Sequence, residues 1–130
     1  TAIGDNVNLA SRLEGLNKYY GTRILVTSAT RHQAGDAFLF READLVRVKG
    51  KREPVTVFEL MTSRHELAAP FSRGLSLYRE RRFAEAAPLF AELNGRFGDR
   101  LSLLYQERCD SFLLAPPPAD WDGVCTLQAK

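Results

Sequence analysis

The chain has 130 residues, of which 45% are hydrophobic and 26% charged, the balance of a globular protein rather than a disordered one. Its 18 Lys and Arg against 16 Asp and Glu leave a net charge of +2, far too even for a protein whose main task is to coat nucleic acid. No apolar run approaches the roughly 18 residues that cross a bilayer, and no signal-peptide pattern opens the chain.

Thr1 to Asp5 reads as the end of a strand and a turn, which predicts the C-terminal part of a longer protein. Asp5 is a good N-cap, because its carboxylate accepts from the first free backbone N–H groups of a helix. Leu9, Leu13 and Leu16 then recur at helical spacing, which predicts a helix from Asn6 to about Lys18 ended by Gly21. Ile24, Leu25 and Val26 make a short buried strand within Arg23 to Thr27. Ser28 is placed to cap a short helix that Gly35 stops. Phe38, Phe40, Leu45, Val46 and Val48 alternate loosely as one or two strands. Gly50 to Pro54 is a tight basic turn, and Pro54 to Leu60 is the strand that completes a hairpin.

After Met61 the β-branched residues thin out, and Leu, Ala, Arg and Glu take over. Residues 61–70 read as a linker. Phe71 to Phe97 reads as two short helices broken near Arg81-Arg82. A third helix starts at Gly98-Asp99, carries Leu101, Leu104, Tyr105, Cys109 and Phe112 on one stripe, and ends at Ala115 before three prolines. Asp120 to Gly123 is a turn-rich tail. The expected division is 1–62 and 63–130, and the excess of positive charge falls in the first part. Four bases lie within six positions there: Arg47, Lys49, Lys51 and Arg52. Cys109 and Cys125 are too few for a disulfide scaffold or a four-ligand zinc site. They read as free thiols in a reducing cytoplasm, with a disulfide as the lesser option.

Asn8 and Arg12 are four apart and share one helix face, beside the leucine stripe and at the rim of a groove. A guanidinium offers fixed donors suited to phosphate oxygens, and an amide beside it suits a sugar. From spacing alone this signal is weak, and the same residues are better described as a capped helix with an exposed arginine.

The segment Thr1-Ala2-Ile3-Gly4-Asp5-Asn6-Val7-Asn8-Leu9-Ala10-Ser11-Arg12-Leu13-Glu14 resembles the signature helix of class III nucleotidyl cyclases, the adenylate and guanylate cyclase catalytic domains. Gly21 to Thr27 resembles that family's next strand, and Val48-Lys49-Gly50-Lys51 through Pro54 to Leu60 its closing hairpin. The resemblance covers about residues 1–62. It implies that Asn8 orients the ribose and that Arg12 stabilises charge on the phosphates in the transition state. It also implies that Lys49 holds the terminal phosphates and that Thr1 reads the purine edge, favouring ATP over GTP. Without the resemblance, Lys49 is a solvated turn lysine and Thr1 an ordinary strand residue. Lys51 and Arg52 read as solvated.

The resemblance further implies Mg²⁺ or Mn²⁺, held in that family by two aspartates in a first half that this sequence does not contain. Asp5 and Asp36 lie in no metal-binding motif. No metal ligand is therefore assigned here, and the chain alone is expected to be inactive. The expected fold is α+β: part of a ferredoxin-like cyclase sheet followed by an α-helical extension. In that extension Gly74, Leu77, Phe83, Ala86 and Phe90 resemble a tetratricopeptide hairpin, the two small residues letting the helices approach. The tail around Trp121 resembles the ending of some bacterial cyclases with an N-terminal sensor region, or simply anchors on the helices.

The resemblance implies a bacterial-type adenylate cyclase that makes 3′,5′-cyclic AMP and pyrophosphate in signal transduction. Such a protein would be a cytoplasmic homodimer, with any membrane anchor upstream and a protein partner as an option for the helices. One alternative is an inactive cyclase-like regulatory or dimerisation module. Another is a helical adaptor built on residues 71–130.

Overall fold

A computed structural model describes residues 12–48 and 53–127. Residues 12–20 are helical and are called α1. β1 (Leu25–Thr27), α2 (Ser28–Ala34), β2 (Phe40–Val48) and β3 (Val55–Leu60) follow. Then come a 3₁₀ turn (His65–Leu67), α3 (Ala68–Arg79), α4 (Phe83–Phe97), α5 (Arg100–Leu114) and β4 (Cys125–Leu127). The architecture is α+β.

The four strands form one sheet in the order β1-β3-β2-β4. β3 pairs antiparallel with both β1 and β2, while β4 lies parallel to β2. Val57 and Phe58 of β3 are therefore paired on both sides. β1 is an outer strand, and exposed Ile24 just precedes it. The tail is more than a turn, because Cys125 pairs with Val46 in the parallel ladder.

A bulge turns Asp44 of β2 to the same buried face as Arg41. The β2–β3 register slips between Glu42 and Asp44, so Ala43 adds one residue to the strand. Side chains alternate faces along a strand, and one extra residue reverses the parity beyond it. Arg41, Ala43, Asp44 and Val46 are consequently all buried. The loose alternation read in this stretch has its cause here, and it also misplaced Phe38, which is exposed and precedes the strand.

The expected linker over 61–70 is ordered structure. Met61 and Leu67 are buried in the core, and α3 begins at Ala68. Two apolar anchors in a polar stretch suffice to pin it. The capping residue of α2 is Thr27 rather than Ser28, with its Oγ1 accepting from Thr30 N at 3.4 Å.

α3 and α4 pack tightly where Gly74 meets Phe90. A Cβ at Gly74 would lie 2.9 Å from Phe90 Cζ, so a side chain there would collide with a buried ring. Phe83, Ala86 and Phe90 are buried, and Leu77 packs partly buried against them. Trp121 seats the tail edge-on against Tyr78 (5.3 Å) and Phe83 (5.6 Å) and packs on Phe112 (5.3 Å). Arg81 donates to the carbonyls of Pro117 and Pro118, both at 2.8 Å. These aromatic pairs and charged hydrogen bonds hold a proline-rich segment that has few backbone donors of its own. Among the described residues no helix is long and apolar enough to cross a membrane.

Candidate functional site

α1 carries the one sequence-assigned site residue that falls among the described residues. Arg12 is half-buried. Thr1, Asn8 and Lys49 lie outside the described residues, as do Asp5, Lys51 and Arg52. Of the four clustered bases, Arg47 is described, with Nη2 3.1 Å from Asp122 Oδ2 in the tail.

Leu13, Leu16 and Tyr20 form the buried stripe of α1. At about 100° per residue, Arg12 flanks this stripe on one side and Asn17 on the other. A groove of about 560 Å³ opens on the Asn17 side, lined by Leu13, Glu14 and Asn17 of α1 together with β1 and the start of α2. Arg12 does not line it. The groove rim expected at Asn8 and Arg12 is not this groove, which lies on the opposite flank of α1.

On the Arg12 flank the neighbour is α5. Tyr19, seven residues after Arg12, lies within about 20° of it on the helix surface. The hydroxyl of Tyr19 sits 3.5 Å from Arg108 Nη2. Next to it, Tyr20 is buried and donates its hydroxyl to Asp44 Oδ2 at 2.6 Å. Asp44 also accepts from Tyr105 at 2.9 Å and from Arg108 at 2.9 and 3.2 Å. Burial, reinforced by the negative charge of Asp44, pushes the Tyr20 and Tyr105 hydroxyls well above the ordinary tyrosine value. Burial disfavours the Arg108 cation, but Asp44 outweighs it and holds the guanidinium charged.

A second buried cluster lies on the same face of β2. Arg41 pairs with its cross-strand partner Glu59 and with Asp99. Among the described residues no three His, Cys, Asp or Glu side chains converge as a metal site would require.

Asp44, Tyr20, Tyr105 and Arg108 were missed as a group in the sequence. Tyr105 was placed correctly on the inward stripe of α5, but as an apolar anchor. Asp44 was invisible because strand parity, read without the bulge, turns it outward.

No protein-family model and no solved structure matches the chain. It is similar to the terminal-differentiation specific adenylate cyclase of Dictyostelium discoideum, 36% identical over 121 residues, covering 84% of this chain and 6% of that protein. It is 43% identical over 61 residues to adenylate cyclase 1 of Rhizobium meliloti (strain 1021), covering 47% of this chain and 9% of that one. It is 44% identical over 63 residues to the adenylate cyclase of Anabaena cylindrica, covering 46% and 12%. The chain thus spans between 6% and 12% of the length of these relatives. A match over 84% of the chain cannot be confined to residues 1–62, so the Dictyostelium likeness reaches into the helices. The chain is related to adenylate cyclases.

Proposed function

We propose that residues 1–62 are the C-terminal part of a class III, bacterial-type adenylate cyclase domain with a ferredoxin-like sheet. Residues 63–130 are its tetratricopeptide-like helical extension and tail. The parent converts ATP to 3′,5′-cyclic AMP and pyrophosphate in signal transduction, by attack of the ribose 3′-oxygen on the α-phosphate. Arg12 carries this reading. It is a half-buried arginine on the helix whose sequence resembles the cyclase signature, in a chain related to adenylate cyclases.

Asn8 orients the ribose, Lys49 holds the terminal phosphates and Thr1 reads the adenine edge. Arg12 offers several fixed donors to the phosphate oxygens as charge builds on them. Such preorganised donors act most strongly where water is excluded. Mg²⁺ or Mn²⁺, when bound, supplies further charge neutralisation. Its ligands are assigned to carboxylates outside this chain, so the 130 residues alone form no cyclic AMP. The site forms between two cyclase domains, so the working unit is a cytoplasmic homodimer.

The test is Arg12→Ala in the full-length protein. Its kcat for cyclic AMP should fall by roughly 10²-fold or more, the scale of a lost transition-state donor. Folding should survive, because Arg12 lies beside the buried stripe rather than in it. A near-normal kcat would sink the assignment.

A further inference from the structure

Asp44 joins three elements on one buried carboxylate. Tyr20 reaches it from α1, Tyr105 and Arg108 from α5, and the carboxylate itself stands on the bulge of β2. The Leu45 backbone N–H, at 2.9 Å from Oδ1, completes its shell. The single hydroxyl proton of Tyr105 is shared between Asp44 Oδ1 at 2.9 Å and Ala43 O at 2.7 Å. Arg108 lies over the Tyr105 ring at 4.8 Å, so the cation has an aromatic contact as well as the carboxylate.

The hold of α5 on α1 is independently visible at the end of α1. Arg100 Nε approaches Tyr19 O at 3.5 Å. The Arg100 side chain lies over Gly21, where an added Cβ would come within 2.4 Å of it. Gly21 has φ +71°, and glycine leaves room for this crossing. Arg108 Nη2 reaches the Tyr19 hydroxyl. α5 therefore meets the last turn of α1 at Tyr19, at Gly21 and, through Asp44, at Tyr20.

A helix is stiff over two turns, so a rotation or shift at Tyr19 is carried to Arg12, about 10 Å away along the axis. Apolar packing would hold the two helices together but tolerate sliding. Hydrogen bonds to a buried carboxylate are directional, and buried polar groups are best attested as devices that fix register.

We infer that Asp44, Tyr105 and Arg108 are positioning residues through which α5 sets the orientation of α1, and with it the aim of Arg12. The consequence for Arg12 rests on the nucleotide reading above, whereas the grip of α5 on α1 does not. On this inference the helical segment is part of the apparatus that presents the signature helix, and not an adaptor hung behind it.

The experiment compares wild type, Arg108→Ala, Arg108→Lys and Tyr105→Phe in the full-length protein by hydrogen exchange and by kinetics. Tyr105→Phe keeps the ring and loses only the hydroxyl, so it remains informative if Arg108→Ala folds poorly. Amide exchange over residues 12–20 should accelerate about fivefold or more in Arg108→Ala and Tyr105→Phe, while residues 83–97 keep wild-type rates. Arg108→Lys, which returns a cation to Asp44, should recover part of the protection. The kcat for cyclic AMP should fall roughly tenfold with KM for ATP changed less than about twofold, because misaimed groups lose transition-state contacts first. Unchanged exchange over 12–20, equal acceleration over 12–20 and 83–97, or loosened 12–20 with full kcat would each overturn the inference. If wild type itself makes no cyclic AMP, the nucleotide reading fails, and the exchange pattern alone still decides whether α5 holds α1.

Discussion

Arg41 in β2 donates to Asp99 at the start of α5, Nη1 to Oδ2 at 2.7 Å and Nη2 to Oδ1 at 3.2 Å. The same Asp99 carboxylate caps α5, accepting from Ser102 N at 3.1 Å and from Ser102 Oγ at 2.6 Å. One buried side chain thus ends a helix and ties it to the sheet. The remaining donors of Arg41 go to Glu59, and its guanidinium lies 4.5 Å over the Phe71 ring.

Asp99→Ala removes both roles. A lost cap costs about 1 kcal/mol, and a buried ion pair with one partner deleted costs about 3–5 kcal/mol. Glu59 remains to Arg41, so the expected loss is about 3 kcal/mol in urea denaturation. Asp99→Asn keeps a capping acceptor and should lose less. Equal losses for the two variants would show that the charge contributes nothing beyond the cap.

Acid should expose the same contact. Burial opposes the Asp99 charge, but the hydrogen bonds and charge of Arg41 outweigh it and hold the carboxyl below its ordinary 3.8. The unfolded chain therefore takes up a proton that the folded one refuses. The stabilisation is fully present above the ordinary value and is lost as pH falls through the depressed folded value. Urea midpoints measured from about pH 6 down to about pH 2.5 should fall less steeply at the acid end in Asp99→Asn than in wild type. Parallel curves would contradict this.

Cys109 is a free, fully buried thiol, and burial with the nearby Asp110 charge pushes it up to about 12. Thiolate is the reacting form, so the native protein should leave Cys109 unmodified by a thiol reagent at about pH 8. Denaturant should release it. Cys125 is only half-buried and also shifted upward by burial, and it should react in the native state ahead of Cys109. Mass spectrometry of timed samples distinguishes the two. Equal native rates would mean that α5 opens locally.

Two helical glycines should behave in opposite ways. Gly95 in α4 has open space at its Cβ position, so Gly95→Ala should gain about 0.5–1 kcal/mol of helix propensity. Gly74→Ala should forfeit that gain, because Phe90 Cζ at 2.9 Å would have to move. Overpacked cores lose about 1–3 kcal/mol, so a net loss is expected. Thermal denaturation of both variants decides the comparison, and a Gly74→Ala variant more stable than wild type would show that the ring yields freely.

Much of the fold was legible in residue order alone. Apolar spacing located the helix through Leu13 and Leu16, the α3–α4 hairpin and the inward stripe of α5, because helical periodicity is a local property. Gly35 and Asp99 marked a helix end and a helix start, since capping is settled by groups within four residues. The signature segment around Arg12 was also legible, as a string of residue types. Only the tertiary structure decided that the tail returns as β4 beside β2, that residues 61–70 are pinned by Met61 and Leu67, and that a groove beside β1 lies on the flank of α1 away from Arg12. It alone brought Tyr20, Asp44, Tyr105 and Arg108 together across up to 88 positions of chain. The physical reason is parity. A single extra residue at Ala43 turns Asp44 inward, and no local pattern announces a bulge. Once inside, a carboxylate must collect every donor within reach, and in this fold those donors come from the first and last helices of the described chain.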